Sequence, residues 1–306
     1  MVGLGILQRN EKPSREMPFA MSQTQKTEAG TRSLSLAHSP DSDDAFMFYA
    51  LATRKIPTGA LQFTHHLEDI ETLNRKAQQG LYDITAISFH AYAYLADKYL
   101  LLPSGGSFGD GYGPLVVARA SLDPMDLKGK RVAVPGTMTT ACLALKLYEP
   151  SVELVVIPFD KILSKVAAKE ADAGVVIHEG QLTYGTYGLK KVLDLGEWWK
   201  RETGLPLPLG GNAVRRSLAP ETCSEVNRLL RASIEFALEH RREALAYALE
   251  FARGLDAVNG DQFVAMYVNR WTVDCGEAGR RAVQLLLDRA AASRIVPAVV
   301  RAEFAE

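Results

Sequence analysis

Arg131-Val132-Ala133-Val134-Pro135-Gly136-Thr137-Met138-Thr139-Thr140-Ala141-Cys142-Leu143-Ala144-Leu145-Lys146-Leu147-Tyr148 is the stretch that decides the fold. Its apolar run has the length and β-branched content of a buried strand. A proline–glycine turn follows, and threonines precede a helical pattern whose first turn needs hydroxyl or amide caps. A buried strand that turns at once into a helix is the unit of an α/β protein.

The same grammar extends to both sides. Upstream, Leu34-Ser35-Leu36-Ala37 leads through His38-Ser39-Pro40-Asp41-Ser42-Asp43-Asp44 into a helical pattern over residues 45–53. A strand over 61–65 precedes a helix over 70–79 that ends at Gly80, and a strand over 82–88 precedes a helix over 91–96. Gly105-Gly106 and residues 109–113 read as a glycine-rich loop that leads into a strand over 115–118. Downstream come a strand over 153–157, a helix over 161–169 and a strand over 174–177 that ends at His178. This alternation predicts βαβ units and parallel sheets. The order helix, glycine or acidic turn, strand occurs twice (76–84 and 165–176), as expected for two similarly built lobes. Residues 207–214 read as a returning strand, and everything after Leu218 is helical in pattern. The expected division is an extension over 1–32, a first lobe of 33–119 plus 204–306 that carries the helical tail, and a second lobe of 120–203. The two crossings, 113–119 and 205–216, are hinge candidates.

Composition narrows the function. The chain has 306 residues, 47% hydrophobic and 23% charged, with a formal net charge of -1. No overall basic field exists to hold nucleic acid or an anionic membrane, so a bound anion must be held by local groups. Three scattered cysteines, Cys142, Cys223 and Cys275, form neither a disulfide framework nor a zinc motif. The first thirty residues are polar and patternless, without the apolar core of a signal peptide, and Met17 and Met21 are alternative starts. No apolar run reaches the roughly 18 residues of a membrane span. These features predict a cytoplasmic protein, monomer or homodimer, with a small-molecule ligand and no nucleic-acid or membrane partner.

Ligands of open parallel sheets sit beyond the carboxyl ends of strands. That rule selects residues 38–44, 88–90, 135–141 and 178–181, two stretches from each lobe, facing one cleft. Thr139, Thr140 and Ala141 offer hydroxyls and free helix-start amides to an anion such as a carboxylate; the plainer alternative is that a threonine only caps its own helix. His178 follows Val175-Val176-Ile177 at a strand end, where an imidazole suits proton abstraction; it is otherwise a hydrogen-bonded structural histidine. Asp41, Asp43 and Asp44 either cap the first helix or bind substrate hydroxyls, and Ser39, Ser88 and Gln181 complete the cleft. Aspartates repel a carboxylate, so the fitting ligand is mixed, with a carboxylate at one end and a polyol at the other. Cys142 reads as a packed thiol and Trp198-Trp199 as lobe packing. No Walker loop, dinucleotide fingerprint or metal motif occurs.

Taken in order, Ser39-Pro40-Asp41-Ser42-Asp43-Asp44-Ala45-Phe46, Ser104-Gly105-Gly106, Gly113-Pro114-Leu115-Val116-Val117, the turn 135–141 and Ile177-His178-Glu179-Gly180-Gln181-Leu182-Thr183-Tyr184 resemble the 1,4-dihydroxy-6-naphthoate synthases of the futalosine route to menaquinone. The resemblance runs from about Leu34 through the helical tail. It implies a two-lobed, type II periplasmic-binding-protein-like fold used as a cytoplasmic enzyme. The implied reaction converts cyclic dehypoxanthinyl futalosine to 1,4-dihydroxy-6-naphthoate and dihydroxyacetone. It also implies His178 as the base, the turn at Thr139, Thr140 and Ala141 as substrate contact, and no metal or organic cofactor. The family loop usually reads Ser-Pro-Cys-Pro-Asn-Asp, so Asp41 and Asp43 add negative charge here. Competing readings are chorismate dehydratase of the same pathway, a non-catalytic solute-binding protein, and a ligand-sensing domain.

Overall fold

The structure, a computed structural model, describes residues 26–27, 30–120, 122–252 and 256–305. Of the expected extension, residues 1–25 and 28–29 lie outside the described residues. Thr31 and Arg32, expected in that extension, instead open a strand that pairs along its whole length with its parallel neighbour.

Two sheets organise the chain. The first holds β1 (Lys26–Thr27), β2 (Thr31–His38), β3 (Leu61–Leu67), β4 (Ile84–Ser88), β5 (Tyr99–Leu101), β6 (Ser107–Gly109) and the long returning strand β12 (Leu207–Arg215). The second has the order β11 (Lys190–Asp194), β7 (Leu115–Ala118), β10 (Ala173–Val176), β8 (Arg131–Val134), β9 (Glu153–Val156). Each has a parallel heart, β3–β2–β4 and β10–β8–β9. β12 and β7 run antiparallel to their neighbours. The expected all-parallel sheets are therefore mixed, because a strand that arrives from the other half enters against the direction of the local βαβ units.

The expected boundary at 119 also moves. All four residues of β7 are buried, which demands an interior position, and β7 lies between β10 and β11 of the second sheet. The chain thus crosses over residues 110–114 and returns over 204–206. The outgoing crossing rests on residues 195–196: the Leu195 amide donates to the Pro114 carbonyl at 3.0 Å. A Cβ on Gly196 would lie 1.8 Å from the Tyr112 carbonyl oxygen. Glycine is required there by close backbone approach.

The helices follow the expected order with shifted ends. α1 (Ser42–Ala52) begins three residues early, so Asp43 and Asp44 stand in its first turn. α2 (Ile70–Gln78) is capped by Asp69, which accepts from the Thr72 amide at 3.1 Å, and the chain leaves it through Gly80 at φ 64°. The helix expected over 91–96 shrinks to α3 (Phe89–Tyr92). α4 (Thr140–Tyr148) and α5 (Ile162–Ala167) pack on the second sheet, α6 (Gly180–Thr183) follows β10, and α7 (Leu195–Thr203) carries the buried Trp199. The tail comprises α8 (Pro220–Glu239), α9 (Arg241–Leu249), α10 (Ala257–Tyr267), α11 (Arg270–Val273) and α12 (Gly276–Ala292). α8, α9 and α10 pack on α1, while α12 lies against β12, α3 and α4. Four strands (β1, β5, β6 and β11) and the helices α6 and α7 were not anticipated; β6 lies inside the stretch read as a glycine-rich loop. Strands of two or three residues, as β1, β5 and β6 are, are too short to display an alternation.

The core is continuous between the halves. One cluster joins Ile87 and Phe108 of the first sheet to Val116, Val132 and Val175 of the second, with Trp199 and Leu207 at the crossing. Separate clusters fill the space between α1 and the tail and beneath α5. Burial of each large apolar side chain contributes about 1.5–3 kcal/mol. Among the described residues no helix is long and apolar enough to cross a membrane.

Candidate active site

The strand-end stretches converge on one cavity between the sheets. Ser39, Asp41, Asp43, Asp44, Ser88, Thr139, Thr140, Ala141, His178 and Gln181 all line it. Among the described lining residues there is no lysine or arginine, so an anion here meets only amides and hydroxyls.

His178 stands just beyond β10 with φ 51°, a left-handed backbone uncommon for a residue with a side chain. The conformation ends the strand and turns the imidazole toward α1. Its Nδ1 lies 3.0 Å from Asp41 Oδ2, and the Asp41 side chain is 4% exposed. Nε2 is buried and has no hydrogen-bond partner among the described residues. Phe159 packs edge-on at 5.0 Å between ring centroids and limits rotation of the ring.

The three aspartates differ in charge. Burial works against ionisation of Asp41, but the facing His178 imidazole helps to hold its carboxyl below the usual range. Burial pushes Asp43 well above that range, reinforced by the charges of Asp41, Asp44 and Glu179. Asp44 is raised by burial and by the charge of Asp41, although it accepts the Ser39 amide at 2.7 Å. The local fields thus favour the charged form at Asp41 and the neutral form at Asp43 and Asp44. Asp41 occupies the N-cap position of α1 without making a side-chain capping bond, so capping does not account for it. An oxygen of Asp41, an oxygen of Asp43 and a ring nitrogen of His178 lie within 4.8 Å of one another, a donor set a divalent cation would accept. Two of those donors already face each other in the Asp41–His178 contact.

At the opposite wall Thr139 is the N-cap of α4. Its hydroxyl accepts from the Cys142 amide at 3.2 Å and donates to the Gly136 carbonyl at 2.9 Å. Thr140 Oγ1 accepts from the His90 amide at 3.1 Å and keeps its own proton to donate. Helix geometry leaves the amides of Thr140 and Ala141 without intrahelical acceptors, so an anion at this wall meets two N–H groups and a hydroxyl. Burial pushes the Cys142 thiol up to about 12, as for a packed cysteine. The capping and anion-binding readings of this turn are compatible, because the cap uses Thr139 and the exposed donors belong to its neighbours.

Several lining or supporting residues were not singled out in the sequence. Asn74 is fully buried and holds Ser88 twice: its Oδ1 accepts the Ser88 amide at 2.8 Å and its Nδ2 donates to Ser88 Oγ at 3.0 Å. Glu71 accepts the Met138 amide at 3.1 Å, and a Cβ on Gly136 would fall 2.3 Å from the Glu71 carboxylate. Glu71 and Asn74 share the buried stripe of α2 with Leu73 and Ala77, and polar residues on such a stripe were the available signal. Tyr267 of α10 donates to Gln181 Oε1 at 2.9 Å and orients that amide. Asn212 on β12 also lines the cavity; its Nδ2 donates to the Gly105 carbonyl at 3.0 Å and its Oδ1 has no partner among the described residues.

Residues 34–292 match the protein family described as menaquinone biosynthesis. The chain belongs to this menaquinone-biosynthesis family. A 1,4-dihydroxy-6-naphthoate synthase of Thermus thermophilus is 44% identical over 259 residues, covering 85% of this chain and 94% of that protein. One of Streptomyces coelicolor is 40% identical over 272 residues, covering 87% and 95%. A crystal structure of a protein from Archaeoglobus fulgidus matches with TM-score 0.83 at 50% identity, covering 86% of this chain and 98% of that one. The alkanesulfonate-binding protein SsuA of Xanthomonas axonopodis pv. citri matches with TM-score 0.67 at 15% identity, covering 90% and 98%. At that identity the likeness is one of fold alone, and it identifies the family's architecture here as periplasmic-binding-protein-like.

Proposed function

We propose that this chain is a cytoplasmic lyase that converts cyclic dehypoxanthinyl futalosine to 1,4-dihydroxy-6-naphthoate and dihydroxyacetone, with His178 as its general base. Membership of the menaquinone-biosynthesis family supports the reaction class, and both curated relatives carry the synthase name rather than that of chorismate dehydratase. The observation that carries the residue assignment is the bare Nε2 of His178, on a side chain that lines the cavity. The aromatic carboxylate of the substrate lies at the Thr140 and Ala141 amides and the Thr140 hydroxyl, with Ser88 beside it. The sugar-derived polyol lies toward Ser39, Asp43, Asp44 and Gln181, where protonated carboxyls donate as well as accept. His178 takes a proton from the carbocycle, the ring fragments, and aromatisation of the second ring draws the reaction forward. The two sheets act as lobes, 33–114 with 204–306 against 115–203, and their closure excludes water and fixes the base against the reacting carbon.

The test is incubation of the purified protein with cyclic dehypoxanthinyl futalosine, with naphthoate and dihydroxyacetone followed by mass spectrometry. His178→Ala is expected to lose about 10²–10⁴-fold in kcat. Binding without turnover in the wild type overturns the enzymatic reading in favour of a solute-binding role. Full activity in His178→Ala overturns the base assignment alone.

A further inference from the structure

A loop that departs from the family pattern places a carboxylate beside the base. Where the resembling sequences read Ser-Pro-Cys-Pro-Asn-Asp, this chain has Ser39-Pro40-Asp41-Ser42-Asp43-Asp44, and Asp41 Oδ2 reaches His178 Nδ1 at 3.0 Å from the other sheet. Asp41 is 2% exposed and makes no capping bond to its own helix.

We propose that Asp41 is a positioning residue: its carboxylate accepts the Nδ1 proton of His178, holds the ring in one tautomer and leaves Nε2 bare toward the substrate. This rests on His178 as the base. Three features of the site support it. A neutral imidazole carries one proton, and a carboxylate at Nδ1 draws that proton to the side away from the cavity. When Nε2 takes the substrate proton, the imidazolium forms beside a negative charge that is already in place and already desolvated. The Asp41 side chain is 4% exposed, so little water competes with the imidazole for its carboxylate. Asp41 is thereby withdrawn from the polyol-binding role expected of it, while Asp43 and Asp44 keep theirs.

The left-handed backbone at His178 belongs to the same device. The turn brings Nδ1 to the first sheet while Phe159 packs against the ring face, so the imidazole is gripped by both halves. Separation of the sheets would break the Asp41–His178 contact and free the tautomer. The base is assembled in the closed molecule.

The experiment uses the full chain with Asp41→Asn, Asp41→Ser and His178→Ala. Steady-state kinetics with cyclic dehypoxanthinyl futalosine separate kcat from KM, and ¹⁵N NMR of the histidine rings, assigned with His178→Ala, reads the tautomer. Asp41→Asn is expected to lower kcat about 10²-fold with KM nearly unchanged. The His178 ring proton is expected on Nδ1 in the wild type and redistributed toward Nε2 in both Asp41 variants. A raised KM with kcat intact overturns the proposal and returns Asp41 to substrate binding. An unchanged tautomer and unchanged kcat overturn it by making the contact incidental. The NMR reading needs no turnover, so failure of the proposed reaction would not hide failure of the positioning role. Asp41→Ser keeps the test open if Asp41→Asn does not fold.

Discussion

Asp41 at the N-cap of α1 and Asp43 in its first turn have folded-state shifts of opposite sign, which makes stability against pH informative. Asp43 is raised, so the folded state binds its proton more tightly than the unfolded chain does. Its effect is nil below the unfolded value, near 3.9, and becomes a loss of stability as pH rises above it. Asp41 is lowered, so its contribution is present above the unfolded value and disappears as pH falls through the folded one. Asp43→Asn, which restores the family's usual amide, is expected to raise Tm near neutral pH, with the gain vanishing toward pH 4. Asp41→Asn is expected to lower Tm near neutral pH, with the two curves converging in acid. Thermal melts at several pH values check both signs, and parallel curves across the range would contradict the charge assignment.

At the scale of the element, α4 carries the wall proposed to hold the substrate carboxylate, and its first turn is set by one hydroxyl. Thr139 accepts the Cys142 amide and ties the turn to the Gly136 carbonyl. Thr139→Ala is expected to cost about 1 kcal/mol of stability and to raise KM, since the amides of Thr140 and Ala141 lose their fixed direction. Thr139→Ser keeps the oxygen and should restore both quantities. Chemical denaturation and substrate titration of the two variants provide the check. An undiminished KM in Thr139→Ala would detach the helix start from substrate binding. The opposing element, α2, supports the same wall from the other sheet through Glu71 and Asn74. The cavity is therefore braced by a helix that contributes one lining residue, Ile70.

The whole molecule depends on two adjacent crossings. Tyr112, Gly113 and Pro114 leave the first sheet beside Gly196, and the distance of 1.8 Å from a Gly196 Cβ to a backbone oxygen leaves no flexible side chain to give way. Gly196→Ala is expected to destabilise by about 1–3 kcal/mol through overpacking. It also spreads the crossings and lowers kcat beyond what lost stability alone would give. Urea unfolding with activity measured well below the transition separates the two effects. Wild-type stability in Gly196→Ala would show that the outgoing crossing can shift away from α7 without loss. Across the cleft the halves are held by Asp41 to His178, Tyr267 to Gln181, and the Thr139 and Thr140 contacts of His90.

Much of this architecture could be read from local signals. The run Arg131 to Val134 with its proline–glycine turn predicts a strand and a following helix because periodicity and turn chemistry involve only neighbours in the chain. The strand-end rule then named Ser88, Thr139, His178 and the other cleft residues, since the end of a buried strand is itself a local feature. Asn74, Asn212 and Tyr267 were not legible, because they support or line the cavity from a helix face, a returning strand and the tail. The mixed direction of the sheets and the place of residues 115–118 depend on which half a crossing strand joins, and no local pattern encodes that. The sequence determined by itself the main strand–helix units and the strand ends that face the cleft. Only the tertiary structure decided that Asp41 faces His178 rather than capping α1, because a contact between two sheets depends on how they pack and on burial that displaces water from both partners.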